Sequence, residues 1–570
     1  MSHLRILVLA IVIVVASPLG SAASIELTAV DGAARVLPEK PVTGSATATI
    51  AGARGEYESF QVVVMARGGN LRKGNASATP LRNADGKEIP ASCVTLYREV
   101  FVPLRHSVPR ATEAPGLVPD PLVPFVNPYT GESVPEPSWG DKGRVGPRFG
   151  AVGFEVWQDQ QQPLYVDVFI PEDAAPGVYS GTIQITAEDA AAELPITLEV
   201  WDFALPRGPT HENHFGGFWT VATYLGLEAG SDAFATIEAR YAEMMAAHRI
   251  NPPLPQRLHP QVSDDGTVVF APEADAAITE FVNRLHVTNI DIPRAPFGDH
   301  TGENREKALR FYRSWYAYLE SKGWAERSYL YMLDEPNDPA AYDEVRRLGA
   351  VVHEAEPRLR RLVVEQPYTQ NPAWGTLDEA IDIWCPLFGF IDEPSVERVI
   401  AQGDDVWSYT ALVQTAPPYH PAYETVKNDL PPFWELDFPY TAYRIAPWLN
   451  RRYHVTGLLY WSAVHWSNPD RNPWDDPGFR IRWNGEGYLF YPGNEAGIDG
   501  PVASIRLKNL RDGMEDYEYF AILDARGEQA AVDAIVREAV PTWGSWKQDS
   551  SVLQTLRKNL GQRIVAGAKK

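Results

Sequence analysis

The chain has 570 residues and a formal charge of −23; 45% of its residues are hydrophobic, 22% are charged and only two are cysteine. That length suggests two or three domains. The acidic balance argues against nucleic acid or an anionic membrane as partner, because both need clustered basic residues. With no Cys/His cluster and no H-E-x-x-H spacing, a zinc site has no support, and no metal or other cofactor is expected.

Residues 1–23 have the pattern of a secretory signal. Arg5 supplies the positive end, Ile6 to Ala16 form an apolar core too short to span a bilayer, and Gly20-Ser21-Ala22-Ala23 offers small residues for cleavage. No cysteine follows the apolar core to carry a lipid, and no later segment approaches the ~20 apolar residues of a membrane helix. The mature protein is therefore expected to be soluble, secreted or periplasmic, without a membrane anchor and with a formal charge of −24, Arg5 being the leader's one charged residue. Cys93 and Cys385 lie far apart in sequence and in different expected domains, so two buried free thiols are expected rather than a disulfide. The oligomeric state is not legible.

Residues 24–207 alternate short β-rich runs, such as Ser59 to Val64, Leu164 to Ile170 and Leu194 to Val200, with Gly, Pro and Asn turns. Pro176-Gly177 before Tyr179 to Ile185 is a turn feeding a strand. Helical periodicity is absent, so the region is expected to be an all-β sandwich. Its Pro- and Gly-rich stretch 107–149 is expected to be a long loop that packs elsewhere or reaches a second domain.

Beyond Leu205-Pro206-Arg207 the rhythm becomes strand, helix, strand, helix. Strands are predicted to start at Phe215, Arg249, Asn289, Tyr329, Leu362, Ile381, Val406 and Gly457. Between them lie amphipathic helices: 302–321, with Leu309, Tyr312, Tyr316 and Leu319 on one face, and 338–355, with Asp338 as N-cap and Pro339 in the first turn. A last helix, about 503–525, follows the eighth strand. Eight strand–helix units over 208–526 predict a (β/α)8 TIM-type barrel, followed by a C-terminal helical extension at 527–570. A doubly wound sheet would want a Gly-rich phosphate turn after its first strand, and none is present.

The run Ser328-Tyr329-Leu330-Tyr331-Met332-Leu333 ends in Asp334-Glu335-Pro336. Pro336 is expected to push Glu335 into an extended conformation and to stop the strand. Two carboxylates at a strand's C-terminal tip are where such a barrel keeps its chemistry, and acid pairs are the machinery of glycoside hydrolysis. Many barrel glycosidases carry a second acid, a nucleophile, at the end of strand seven. Here that segment, Val406-Trp407-Ser408-Tyr409-Thr410, has none, and Glu435 lies in a segment leading to the next helix. An adjacent Asp-Glu pair suits another route, in which a substrate's 2-acetamido oxygen attacks the anomeric carbon. Asp334 would then orient the acetamide N–H and stabilise the developing charge, while Glu335 protonates the leaving oxygen and deprotonates the incoming water.

These residues, with Gly55-Glu56-Tyr57-Glu58-Ser59-Phe60-Gln61, Pro176-Gly177-Val178-Tyr179-Ser180-Gly181, Gly485-Glu486-Gly487-Tyr488-Leu489-Phe490-Tyr491-Pro492-Gly493 and Leu510-Arg511-Asp512-Gly513-Met514-Glu515-Asp516-Tyr517-Glu518-Tyr519, resemble glycoside hydrolase family 123 and its relatives over nearly all of the mature chain. The resemblance implies a retaining, substrate-assisted exo-β-N-acetylgalactosaminidase acting on a 2-acetamido glycoside, with Asp334 as stabiliser and Glu335 as acid/base. Supporting residues are candidates from position alone. Tyr368, after strand five, would donate to the acetamido oxygen or simply pack its loop. Trp384, Trp407, Tyr409 and Trp461 end strands six, seven and eight and would wall a sugar pocket or be buried in the barrel top. His465 and Trp466 follow strand eight and would meet a hydroxyl and a ring face. Glu365 would bond hydroxyls or be a satisfied core acid. Arg506, Arg511, Asp516 and Glu518 are expected to form ion pairs rather than a site. Two alternatives stand beside this: a barrel glycosidase on sugars without an acetamido group, recruiting Glu365 or Glu435 as nucleophile, and a non-catalytic carbohydrate-binding protein.

Overall fold

Period-two alternation builds the N-terminal region. In the strand Tyr57–Arg67, Phe60, Val62, Val64 and Ala66 turn to one face and join a common core, leaving Ser59 and Gln61 on the other. The computed structural model describes residues 23–140, 143–466, 471–480 and 482–567; the leader expected at 1–23 lies, but for Ala23, outside the described residues. One sheet orders Ser24–Asp31, Tyr57–Arg67, Gln161–Phe169, Val94–Leu104 and Gly116–Pro124, all antiparallel. A second carries Leu71–Ala78, Gly177–Thr186, Ala191–Ala204 and Ala48–Arg54, the last pair parallel. The stretch 107–149 is not all loop, since Gly116–Pro124 within it forms the first sheet's edge strand.

The second half contains seven parallel strands: β1 (Glu212–His214), β2 (Asp291–Ile292), β3 (Tyr329–Asp334), β4 (Arg360–Val364), β5 (Ile383–Trp384), β6 (Asp405–Tyr409) and β7 (Gly457–Leu459). They pair in the order β1-β7-β6-β5-β4-β3-β2, a curled sheet wound in sequence order. The expected closed eight-stranded barrel is not formed. The strand predicted at Arg249 is absent, and among the described residues no backbone ladder joins β1 to β2. The cause lies in Ile250-Asn251-Pro252-Pro253, where two consecutive prolines have no N–H to give a ladder. Three asparagines bridge the seam instead. Asn251 donates its backbone N–H to Asn213 Oδ1 at 2.8 Å, Asn213 donates its own to Asn289 Oδ1 at 3.1 Å, and Asn289 Nδ2 returns to the Asn213 carbonyl at 2.9 Å.

The sheet's interior is filled by Tyr329, Leu362, Val364, Ile383, Trp407 and Leu459. A Cβ on Gly457 would stand 2.4 Å from the Trp407 ring, so glycine is what admits that indole. Outside, the helix Arg305–Lys322 buries Leu309, Tyr312, Tyr316 and Leu319 as its periodicity predicts. Asp338 caps Pro339–Ala355 by accepting from Ala341 N at 2.9 Å.

The closing helix Ile505–Ala525 lies between the curled sheet and the first N-terminal sheet and is buried on nearly every side. Its ion pairs run along the helix, from Arg511 to Asp512 at 2.8 Å and to Glu515 at 3.8 Å, and also reach other elements. Arg506 pairs with Asp120 at 3.0 Å, and Arg511 with Asp167 at 2.8 Å. Asp516 takes Arg444 at 2.8 Å and Arg557 of the last helix, Ser550–Gly567, at 3.1 Å. Glu518 accepts from Thr210 N at 2.7 Å. Both cysteines are unpaired, Cys385 buried as expected and Cys93 only partly so. No helix among the described residues is long and apolar enough to cross a membrane.

Candidate active site

The acids owe their orientation to an irregularity in β3. Its register to β4 slips between Tyr331 and Leu333, so Met332 is an extra residue of a β-bulge, which re-aims the side chains beyond it. Tyr331 packs on the interior cluster, whereas Met332 and Leu333 both pack outside it. The next residue, Asp334, is thereby returned to the inner side, where it accepts from Tyr331 Oη at 3.0 Å. Strict alternation would have sent it outward. Glu335 then departs from its expected extended geometry, with φ at +41°. This left-handed conformation is costly for a glutamate and is found where surrounding structure enforces it, often at functional sites. It turns the carboxylate across the sheet's open end, where Tyr409 Oη, at the tip of β6, donates to Oε1 at 2.6 Å. Both acids are exposed at the C-terminal mouth, each with its own tyrosine donor.

Of the other acids near the mouth, Glu365, Glu435 and Glu486 are buried and Asp291 is partly so. Glu365, just after β4, is 4% exposed, accepts from Tyr342 Oη at 2.9 Å and from Gln366 Nε2, and is pushed up to about 8 by burial. Asp291, on β2, accepts from Tyr331 N at 3.1 Å, and burial pushes it up to about 7. Glu486 accepts from Trp461 Nε1 and from Leu412 N at 3.1 Å, and burial pushes it up to about 7. Glu435 is fully buried and held well above the usual carboxylate range by burial and by Glu486. His214, ending β1, stays neutral, since burial lowers it to about 4. The mouth thus presents two solvent-reached acids over a floor of acids in which burial favours the protonated form. Among the described residues no group of three or more His, Cys, Asp or Glu is placed to hold a metal ion.

Of the predicted site residues, the structure brings Asp334, Glu335, Glu365, Tyr409 and Trp461 to this mouth. Trp407 points into the sheet interior and is fully buried, so it does not wall a pocket. Trp384 faces the outer layer and donates to Asp404 at 2.9 Å. Trp466 is 4% exposed and bonds the Phe490 carbonyl at 3.0 Å. Tyr368 spends its hydroxyl on the Phe390 carbonyl at 2.7 Å and sits at the rim beside Tyr419. His465 stacks near Trp461, ring centroids 4.9 Å apart, where burial and then Arg480 lower its basicity. Sequence patterning alone gives no role to Tyr331, Asp291 or Glu486. Glu486 had a local signal in Gly485-Glu486-Gly487: both glycines have positive φ, and a Cβ at Gly487 would lie 2.2 Å from Trp461. Tyr331 and Asp291 depend on a bulge and a neighbouring strand that one-dimensional patterning does not carry.

The buried acids give a pH test. The folded protein holds the Glu365 proton more tightly than the unfolded chain, where glutamate titrates near about 4.3. The associated stability is complete below that value and is lost as pH rises through about 8. Asp291 and Glu486 act in the same sense, up to about 7. The melting temperature should therefore fall between roughly pH 5 and pH 9, and Glu365→Gln should flatten that fall, melting above wild type at the alkaline end only. A variant profile parallel to wild type's would contradict the buried, protonated state of Glu365.

Residues 292–523 match the family described as "Glycoside hydrolase 123, catalytic domain". No protein of curated function matches the sequence. A solved family 123 glycoside hydrolase from Clostridium perfringens, described in terms of glycolipid glycan hydrolysis, shares the fold with a TM-score of 0.67 at 14% identity, covering 96% of this chain and 100% of that one. β-Glucuronidases of Parabacteroides merdae (10% identity, TM-score 0.26, 82% of this chain and 50% of that one) and Bacteroides uniformis (11%, 0.26, 90% and 51%) are far more distant. The stretch that carries β3 to β7, the acid pair and most of the closing helix thus matches the glycoside hydrolase 123 catalytic domain, and the chain as a whole is similar to that family of glycoside hydrolases.

Proposed function

We propose that the chain is an exported, retaining exo-β-N-acetylhexosaminidase, N-acetylgalactosaminidase-like, in which the substrate's acetamido oxygen is the nucleophile. One observation carries the reading: among the described residues the mouth offers two adjacent exposed acids, while Glu365 and Glu435, the other candidates for a nucleophile, are buried. Glu435 is sealed from solvent, and Glu365 is held neutral by burial. Neither is suited to form a covalent glycosyl ester, which leaves the substrate to supply the attacking atom.

In this mechanism Asp334, steadied by Tyr331 Oη, accepts the acetamide N–H and aligns the carbonyl oxygen below the anomeric carbon. Charge developing on the oxazolinium ion is met by the Asp334 carboxylate. Glu335 gives its proton to the leaving oxygen, then takes one from water attacking the same face. Tyr409, donating to Glu335, holds that carboxyl in place for both steps. Two inversions at one carbon return the β configuration. The signal-like pattern of residues 1–23 supports an exported enzyme. The non-reducing end of a glycolipid glycan, the substrate class in the description of the Clostridium protein, belongs in the first substrate panel.

That panel pairs chromogenic 2-acetamido β-glycosides with their 2-hydroxy counterparts. Cleavage confined to the acetamido members, with tight inhibition by a thiazoline mimic of the bicyclic intermediate, is expected. Efficient cleavage of a 2-hydroxy glycoside, trapped covalently on Glu365 or Glu435, would contradict the reading.

A further inference from the structure

The seam that Asn213, Asn251 and Asn289 bridge borders a cavity. This cavity of about 720 Å³ is lined by Asp334, Tyr331 and Trp461 of the mouth and, further from it along the chain's outer layer, by the apolar Leu254, Ile278 and Val282. Ile278 and Val282 are almost wholly buried on the helix Pro272–Arg284, and Leu254 is half-buried in the loop after the two prolines. Glu335 is not among the lining residues and turns instead to Tyr409. The cavity therefore opens on the side of the acid that orients the substrate's nitrogen, away from the acid that serves the leaving group.

We infer that this cavity receives the N-acyl chain of the substrate, so that the enzyme hydrolyses 2-acylamido glycosides with acyl groups well beyond acetyl. The inference rests on the proposed substrate-assisted reading, which puts the amide N–H on Asp334 and hence the acyl carbon beside it. A methyl group is about the size of a water molecule, whose share of the liquid is ~30 Å³. An acetyl methyl leaves most of the cavity empty, whereas a linear acyl chain can extend along the seam toward Leu254 and Val282. A longer chain changes neither the carbonyl oxygen that attacks nor the intermediate's ring. It adds apolar contact in both ground and transition states, and so acts mainly on KM.

The test is a series of aryl 2-acylamido glycosides of the sugar that the panel selects, with acetyl, propanoyl, butanoyl and hexanoyl groups. KM is expected to fall about two- to fourfold per added methylene, with kcat nearly constant. Leu254→Trp should abolish that gain while leaving the acetyl substrate unchanged. Val282→Phe, on the helix Pro272–Arg284, should do the same, and the ratio between acyl lengths is independent of how much of either variant folds. Cleavage of the acetyl member alone, with longer chains slowed by a hundredfold or more, would overturn the inference and leave the proposed function standing. So would acyl tolerance that neither variant alters, or a chain-length gain seen only with alkyl aglycones. Failure to cleave any 2-acylamido glycoside would instead remove the function on which the inference depends.

Discussion

Glu335→Gln should lower turnover by about 10²- to 10⁴-fold on substrates with alkoxide leaving groups, the range in which a positioned acid/base contributes. The amide keeps the size and can still meet Tyr409, but it has no proton to give. An activated aryl glycoside needs little protonation to depart, so its first step should be nearly spared. Deglycosylation would then limit the rate, and a small anion such as azide should restore it by attacking without base assistance. The geometry behind this is the left-handed φ of +41° at Glu335 and its 2.6 Å bond from Tyr409, which point the carboxyl across the mouth. Tyr409→Phe should lower turnover without abolishing activity, because the carboxyl keeps its proton chemistry but loses the donor that holds it across the mouth. Equal loss of rate in Glu335→Gln on good and poor leaving groups, with an unchanged melting curve, would show that Glu335 is not the proton donor.

The second large effect is on stability. Asp167, 1% exposed in the first N-terminal sheet, accepts from Arg511 at 2.8 Å, from Ser59 Oγ at 2.7 Å and pairs with Lys508 at 2.7 Å. Burial works against its ionisation, yet the two cations hold it well below the usual carboxylate range. Asp167→Ala leaves Lys508 buried without its carboxylate partner and Arg511 with only Asp512 and Glu515 of its own helix, so no ion pair joins this part of the sheet to the closing helix. Removing one partner of such a cluster costs about 3–5 kcal/mol, more than most core truncations of one methylene. Urea denaturation should show a midpoint lowered accordingly. A loss under about 1 kcal/mol would mean that water reaches the cluster and that the contact between the two halves is not held by it.

The legible and illegible parts of this protein differ by kind of physics. Local signals were clear: Asp338 and Pro339 open a helix, Leu309, Tyr312, Tyr316 and Leu319 share one buried face, and β3, β6 and β7 lie where apolar runs end in turn chemistry. The missing strand was legible too, in Pro252-Pro253, but the regular recurrence of strand–helix units outweighed it. Facing was not legible. Strands of a covered parallel sheet are apolar on both sides, so nothing in the sequence tells that Trp407 turns inward and Trp384 outward. The acid pair was found because two adjacent carboxylates at a strand end are unusual anywhere. The bulge that returns Asp334 to the inner side arises only from the register with β4. Arg511 and Asp167 are separated by hundreds of residues, and only packing reveals that they meet.

The central claim is that the substrate's own carbonyl oxygen attacks the anomeric carbon, and its basicity can be varied without touching the protein. Aryl glycosides bearing acetyl, fluoroacetyl, difluoroacetyl and trifluoroacetyl groups on the 2-amino nitrogen differ little in size, and the cavity beside Asp334 has room for all of them. Each fluorine withdraws electrons from the oxygen that must attack, so kcat is predicted to fall steeply and monotonically along the series, by orders of magnitude in total, with KM little changed. A kcat that stays level from acetyl to trifluoroacetyl would mean that a group of the enzyme performs the attack, and would contradict the account.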